Sequence, residues 1–322
     1  MKNSKVTEMI RAAWGKLGVW LIAILLFVVM SLASDKFLTA SNLINVVRQV
    51  AVTGIVALGA TFVVTSGEID LSQGGVVCLA GCFCAHLMMN VGMDPWIASI
   101  ITILLSVVAF IFLGSIVAYL DVPSFIATLG FNYVLSGLVL LLTNSKAITG
   151  LPENFTKIAR GYIFNDSVPI VAIILLALYA FGAYVQRYRV FGRNVAIVGE
   201  NRQAALLSGI NVRLIKVLAF AVGGACSALA GIVLAARLGS GQPSSGSDSS
   251  LMALAAVYVG GASKSSVVNT LAGTLIIGMI NNGLNLIGLN ASFKEIILGT
   301  IIVVAVILDI VRSKRAESHI VK

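Results

Sequence analysis

"VGENRQAALLSGINV" fills residues 198–212, a polar stretch set between two apolar ones. Asn201 is a good N-cap, because its side-chain oxygen can accept from an amide two or three residues on. Arg202-Gln203-Ala204-Ala205-Leu206-Leu207-Ser208 favours helix, and Gly209 can take the left-handed conformation that closes it. The stretch predicts a charged, capped helix of one or two turns. On both sides the chain is oily enough to live in lipid, over 167–185 and 213–237. A polar helix between two such runs belongs where a membrane meets water. Ala204, Leu207 and Ser208 lie close together on one face of it. That face is either a docking knob or part of a helix that only links two spans.

Composition agrees with a membrane chain. The 322 residues are 58% hydrophobic and only 11% charged, with a mean hydropathy of +1.01. Soluble domains carry about 25% charge. Several uncharged runs reach the roughly 20 residues that cross a bilayer as a helix. Backbone groups in lipid must be satisfied within the chain, so such runs read as helices. A β-barrel would alternate apolar and polar residues, and these runs do not. The fold class expected is therefore an all-α polytopic membrane protein. The net charge of +9 sits at helix ends and reads as orientation, not as a nucleic-acid surface. Cys78, Cys82, Cys84 and Cys226 fall inside spans, the first two on one helix face, and read as small packing residues.

Spans are expected at 17–33, 44–66, 72–92, 95–119, 123–143, 167–185, 213–237, 251–262, 268–289 and 293–311. The eighth is too short to cross about 30 Å of hydrocarbon alone and reads as a half-helix. Residues 1–16 hold four Lys/Arg, and 186–216 hold six. More basic residues follow the last span. Basic blocks face the cytoplasm, so the sequence predicts cytoplasmic termini and a cytoplasmic 186–212 loop. Spans 2–5 and 7–10 then run in opposite directions, as an inverted repeat requires. The division is an amphipathic segment at 1–16 lying on the membrane surface, a single transmembrane domain at 17–312 and a tail at 313–322. Asp94-Pro95 and Asp121-Val122-Pro123 read as helix starts.

Polar residues within or beside the spans are the candidates for function. "SGEIDLSQGG" (66–75) places Glu68 and Asp70 between apolar runs, with glycines that let a helix break. Asp70 and Ser72 either line a pathway or cap the third span, and the two roles can coexist. Asn281, Asn282 and Asn285 in the ninth span, and Thr128 and Asn132 in the fifth, are either pathway lining or interhelical glue. Ala221, Gly224, Ala228, Gly231 and Ala235 form a small-residue seam for close packing. Gly273, Gly278, Gly283 and Gly288 recur every five residues and so spiral. "GSGQPSSGSDSS" (239–250) reads as a solvated periplasmic loop or a contact for a soluble partner. No G-x-x-x-x-G-K-[ST] loop occurs, so this chain holds no such phosphate cradle, and no metal or cofactor is expected on it. His86 and His319 are the only histidines, and no Ser/His/Asp set points to an intramembrane enzyme.

"GRNVAIVGENRQAALLSGINV" (192–212), "TSGEIDLSQG" (65–74), "VPSFIATLG" (122–130) and "NNGLNLIG" (281–288) together resemble ribose-type permease subunits of bacterial ABC importers. The patches occur in the family's order over nearly the whole chain. The resemblance implies a ten-span fold like that of the vitamin B12 importer, in the bacterial inner membrane, with two permeases paired. It implies an ABC ATPase subunit, carrying ATP and Mg, and a periplasmic sugar-binding protein as partners. Glu200, Asn201, Arg202, Gln203, Ala204, Ala205, Leu207, Ser208 and Gly209 would form the helix that seats in the ATPase. Glu68 and Gln73 depart from the family, which usually has Gly and an apolar residue there. A nucleoside or branched-chain amino acid permease is the alternative of the same fold. An ion-coupled transporter using Glu68 and Asp70 is the alternative of another class.

Overall fold

Apolar runs broken by glycine, proline and short polar stretches give, among the described residues, the twelve helices named below in the computed structural model. It describes residues 2–163, 168–261 and 266–288. Beyond these it describes 290, 292–293, 295–297, 299–301, 303–304 and 307, and the side chains of residues 1–17 lie outside it. The order is α1 (Lys2–Ala33), α2 (Ala40–Thr65), α3 (Gln73–Met89), α4 (Pro95–Tyr119), α5 (Ser124–Thr143), β1 (Ile148–Thr149), α6 (Glu153–Arg160), β2 (Tyr162–Ile163), β3 (Val168–Pro169), α7 (Ile170–Tyr188), α8 (Val190–Glu200), α9 (Arg202–Leu207), α10 (Val212–Leu238), β4 (Ser240–Gly241), α11 (Ser249–Val259) and α12 (Val267–Leu286). Among the described residues, six helices are long and apolar enough to cross a membrane: α2, α4, α5, α7, α10 and α12.

The expected separate surface helix at the N-terminus is instead the first part of α1, which runs unbroken from Lys2 to Ala33. Gly15 and Gly18 do not stop it, because a helical glycine costs only about 1 kcal/mol and no proline or cap stands between them. The apolar stripe expected on residues 1–17, the last part of the tenth span and the basic tail lie outside the described residues.

At the centre, α2 and α10 pack against each other where Gly59 meets Gly223 and Cys226. The small-residue seam of α10 does the close packing expected of it. Gly224 lies under the ring of Phe110 on α4, and Gly231 lies against Val77 and Gly81 on α3. The α12 glycines spiral as expected. Gly273 faces Ala256 of α11, Gly278 faces Val50 of α2, and Gly283 faces Met30 of α1. Cys78 and Cys82 share a cluster with Val139, while Cys84 turns into the main core. Asp94 caps α4 through Trp96 and Ile97, with Pro95 opening the first turn. Asp121 does not cap α5. Its backbone turns left-handed at φ 49°, and its carboxylate pairs with Arg202.

Two ends of the bundle can be told apart by their contacts. At one, the last turn of α2 meets Gly199 of α8, Asp121 meets Arg202, and Arg213 lies over Tyr119. At the other, Arg48 donates to the carbonyl of Arg160, and Arg160 to that of Arg237. There β1 pairs antiparallel with β4, Thr149 opposite Ser240, and β2 pairs with β3. Thus α2 and α10 are antiparallel.

Candidate translocation and coupling site

Between α2 and α3 the chain comes out of helix for residues 66–72 while remaining largely buried. An extended buried chain has no ladder of its own, so each amide and carbonyl needs an outside partner. Ser66, Gly67 and Glu68 donate back to carbonyls of α2, and for Ile69 and Leu71 the partners are hydroxyls. Ser124 Oγ accepts from Ile69 N at 3.2 Å, and Thr128 Oγ1 accepts from Leu71 N at 3.2 Å. Ser250 Oγ donates to Leu71 O at 2.9 Å and accepts from Gly74 N at 2.6 Å. One hydroxyl of α11 thus ties the broken segment to the first turn of α3.

Asp70 is buried. Its Oδ1 accepts from Ser72 N at 2.8 Å and from Ser72 Oγ at 2.6 Å. The expected cap on α3 is therefore replaced. Asp70 and Ser72 bond each other, neither side chain accepts from the first amides of α3, and Ser250 takes the place of the cap. The reason is geometric: Ser72 is already helical at φ −87°, ψ −10°, which does not aim a cap side chain back at the helix amides. Asp70 Oδ2 and both amide atoms of Gln73 are buried without a hydrogen-bond partner. They sit beside Gly223. Glu68 lies nearer the end of the bundle, where its carboxylate pairs with Lys216 on the first turns of α10.

Five expected pathway residues thus come together around the broken segment: Glu68, Asp70, Ser72, Thr128 and Asn132. Thr128 is fully buried and holds backbone, and Asn132 Oδ1 sits 2.6 Å from where a Cβ on Gly75 would be. The asparagines of α12 do not join them. Asn282 is buried and exchanges amide bonds with Asn42 of α2 at 2.8 and 3.1 Å, so it is interhelical glue. Asn281 is half-buried with Oδ1 unpartnered, and Asn285 is exposed.

The 239–250 stretch is a solvated loop only in part. Gln242, Ser244, Ser247 and Asp248 are exposed, but Ser240, Gly241, Ser249 and Ser250 are buried, and Ser247 O lies against Gly74. Its turns and the β4 pairing satisfy its own backbone, which lets a serine-rich stretch enter the bundle. It leads into α11, the 11-residue half-helix expected from the sequence.

The exposed helix forms as read. Asn201 Oδ1 accepts from Ala204 N at 2.9 Å, and Gly209 closes the turn at φ 76°. Leu207 is 90% exposed, and Ala204 and Ser208 are exposed with it. Ala205 departs from its expected place on the contact surface. It is fully buried against Val195, Val198, Val212 and Ile215, so it seats the helix and cannot meet a partner.

Ser124, Ser250, Lys216, Gly199 and Asn42 were not singled out from the sequence. Lys216 carried a local signal, a cation one turn inside an apolar span. The others did not, because their partners lie far away in the chain. A cavity of about 680 Å³ between α3, α4 and α5 is lined by Leu79, Phe83, Leu105, Phe131 and Leu138. Its two hydroxyls, on Thr102 and Ser106, already bond their own helix, so it offers little to a polar solute.

Broken segments buried in a bundle of apolar helices are a feature of transport proteins. The family described as "Branched-chain amino acid transport system / permease component" matches residues 42–306. The chain is 38% identical over 300 residues to the ribose import permease protein RbsC of Bacillus subtilis (strain 168), covering 91% of this chain and 92% of that one. It is 35% identical over 320 residues to the probable ABC transporter permease protein YphD of Escherichia coli (strain K12), covering 98% and 96%. It is 32% identical over 307 residues to the D-allose transport system permease protein AlsC of the same strain, covering 94% and 93%. No solved structure matches. The chain belongs to this permease family and is a multi-pass protein of the inner membrane.

Proposed function

We propose that this chain is the permease subunit of an ABC importer for a monosaccharide of pentose or hexose type. It works as one of two copies, with a separate ATPase and a periplasmic binding protein. The named substrates of its relatives, ribose and allose, support the sugar, and the spread between them leaves the particular one open. The observation that carries the mechanism is α9. It is capped at Asn201, seated by Ala205, and presents Leu207 to solvent. A short helix built so firmly and left bare on its outer face is suited to receive a push from a partner. Closure of the ATPase pair moves α9, and the permease alternates between outward and inward openings. The chain performs no covalent step.

The ten-passage fold with cytoplasmic termini rests on the charge pattern, and its inverted repeat fits the contacts. Exchanging α2 with α10, α3 with α11 and α4 with α12 maps packed pairs onto packed pairs: α4 on α10 becomes α12 on α2, and α3 on α10 becomes α11 on α2. The residues at 66–72 and 239–248 are then equivalent breaks. Asp70, Ser72, Thr128 and Asn132 shape the wall at the first break, while Glu68 lies to its side, held by Lys216. The rival ion-coupled reading is weakened by the pairing of Glu68 with Lys216, which occupies one of the two acids it needs.

The test is purification of the tagged chain in mild detergent with its co-purifying partners, beside Gly209→Pro. Proline fixes φ near −65° and cannot follow the left-handed turn at Gly209. An ATPase accompanies the wild type and is reduced about tenfold or more with the variant, while the variant elutes as a folded species. A wild-type chain that purifies alone and transports in liposomes under an ion gradient overturns the importer reading. Uptake of a branched-chain amino acid in place of a sugar, in the reconstituted complex, overturns the substrate.

A further inference from the structure

The 66–72 segment touches three things that the importer reading treats separately. At its start, Gly199 of α8 packs so closely on Thr65 and Gly67 that a Cβ there would collide with the Thr65 carbonyl. In the middle, Glu68 pairs with Lys216, one turn into the helix that follows α9. Both side chains are largely sheltered, 12% and 15% exposed, unlike the Arg202–Asp121 pair at 53% and 60%. Sheltered charges are screened less and cost more to separate. At its end, Leu71 and Gly74 share the hydroxyl of Ser250, the second residue of α11. The segment has no helix of its own to absorb a displacement. What moves its start must move its end.

Resting on the importer reading above, we propose that residues 66–72 form a strut that carries movement of the α8–α9 surface to the second broken segment, and that Glu68 and Lys216 are the positioning residues that couple its near end to α10. Neither touches the sugar. The pair stays closed through the cycle, because α8, α10 and the segment move as one body. It is a strut and not a gate.

The experiment uses the reconstituted importer with its ATPase and binding protein in proteoliposomes. Basal ATP hydrolysis, its stimulation by the sugar-loaded binding protein, and sugar taken up per ATP are measured. Glu68→Gln and Lys216→Met should leave assembly and basal hydrolysis within about twofold and lower sugar per ATP about fivefold or more. The exchange Glu68→Lys with Lys216→Glu should restore the ratio to within about twofold of wild type. An unchanged ratio in both single variants, or an exchange no better than the worse single variant, overturns the strut. Should the single variants fail to assemble, a Glu68→Cys, Lys216→Cys pair joined by a short bifunctional thiol reagent decides the matter. The joined importer keeps at least half of the wild-type ratio if the pair is a strut. Arrest that is reversed by cleaving the linker shows a gate and overturns the proposal. A wild-type preparation with no ATP-driven uptake fails in a different way, and removes the importer reading itself.

Discussion

The two broken segments lie against each other in the bundle, and they solve the same problem by opposite means. Residues 66–68 turn back onto the last carbonyls of α2, but residues 69–71 bring little for their own backbone. Ser124 and Thr128 of α5 and Ser250 of α11 supply the hydrogen bonds there. Residues 239–248 draw on their own turns and on one distant strand, β1. Ser245 N bonds Gln242 O, Ser249 N bonds Gly246 O, and β4 pairs with β1. The difference shows where sensitivity to mutation should fall. The first segment is vulnerable at distant residues, and the second is robust at its own. A buried backbone must be paired somewhere, and the cost of failure falls on whichever side chain does the pairing.

Gly74→Val attacks the point where the two segments meet. Its Cβ would collide with Ser247 O, a backbone atom held by its own turn. Overpacking of this kind costs up to about 3 kcal/mol or more. Thermal unfolding in detergent should show the largest loss of this set, and a wild-type melting profile would mean that the segments do not touch. Thr128→Val comes next. It keeps the shape of the side chain and leaves Leu71 N buried without an acceptor, at about 1–3 kcal/mol. Ser250→Ala should cost a similar amount, since Leu71 of the first segment and Gly74 of α3 lose one shared hydroxyl.

Asp70 sharpens the contrast through a pair of substitutions. All of its bonds use Oδ1, while Oδ2 has no partner. Asp70→Asn keeps the acceptor, so it should melt within about 0.5 kcal/mol of wild type. Asp70→Ala strands Ser72 N and Oγ and should cost about 1–3 kcal/mol. Equal losses would mean that the charge, not the acceptor, is what the fold uses. In the second segment, Ser244→Ala and Asp248→Ala alter exposed side chains and should stay within about 0.5 kcal/mol. A larger effect from either would break the comparison.

Much of this was legible in the sequence. Helix positions followed from apolar runs, and α4 begins at its Asp-Pro signal where local chemistry required. The α9 helix, with its Asn201 cap and Gly209 closure, is a local matter, as is the half-length of α11. The α10 seam and the α12 spiral follow from helical spacing alone. What failed had distant partners. Asp121 looked like a cap and pairs with Arg202 instead, and Asn282 finds Asn42 across the bundle. The serine-rich 239–250 stretch looked wet and is so only in part, because polarity alone does not reveal depth.

A bundle of apolar helices with a polar, capped helix on its surface can be read from local pattern. Those features depend on hydropathy, on helical periodicity and on bonds between residues three or four apart. Which polar groups face one another depends on how the helices pack. Packing puts Ser250 on Leu71 and Gly74, Lys216 on Glu68, and Ala205 inward beneath its helix. Hydrogen bonds and ion pairs are satisfied by whatever lies within about 3 Å. In a bundle that distance is crossed between residues far apart in the chain, and no local pattern records the meeting.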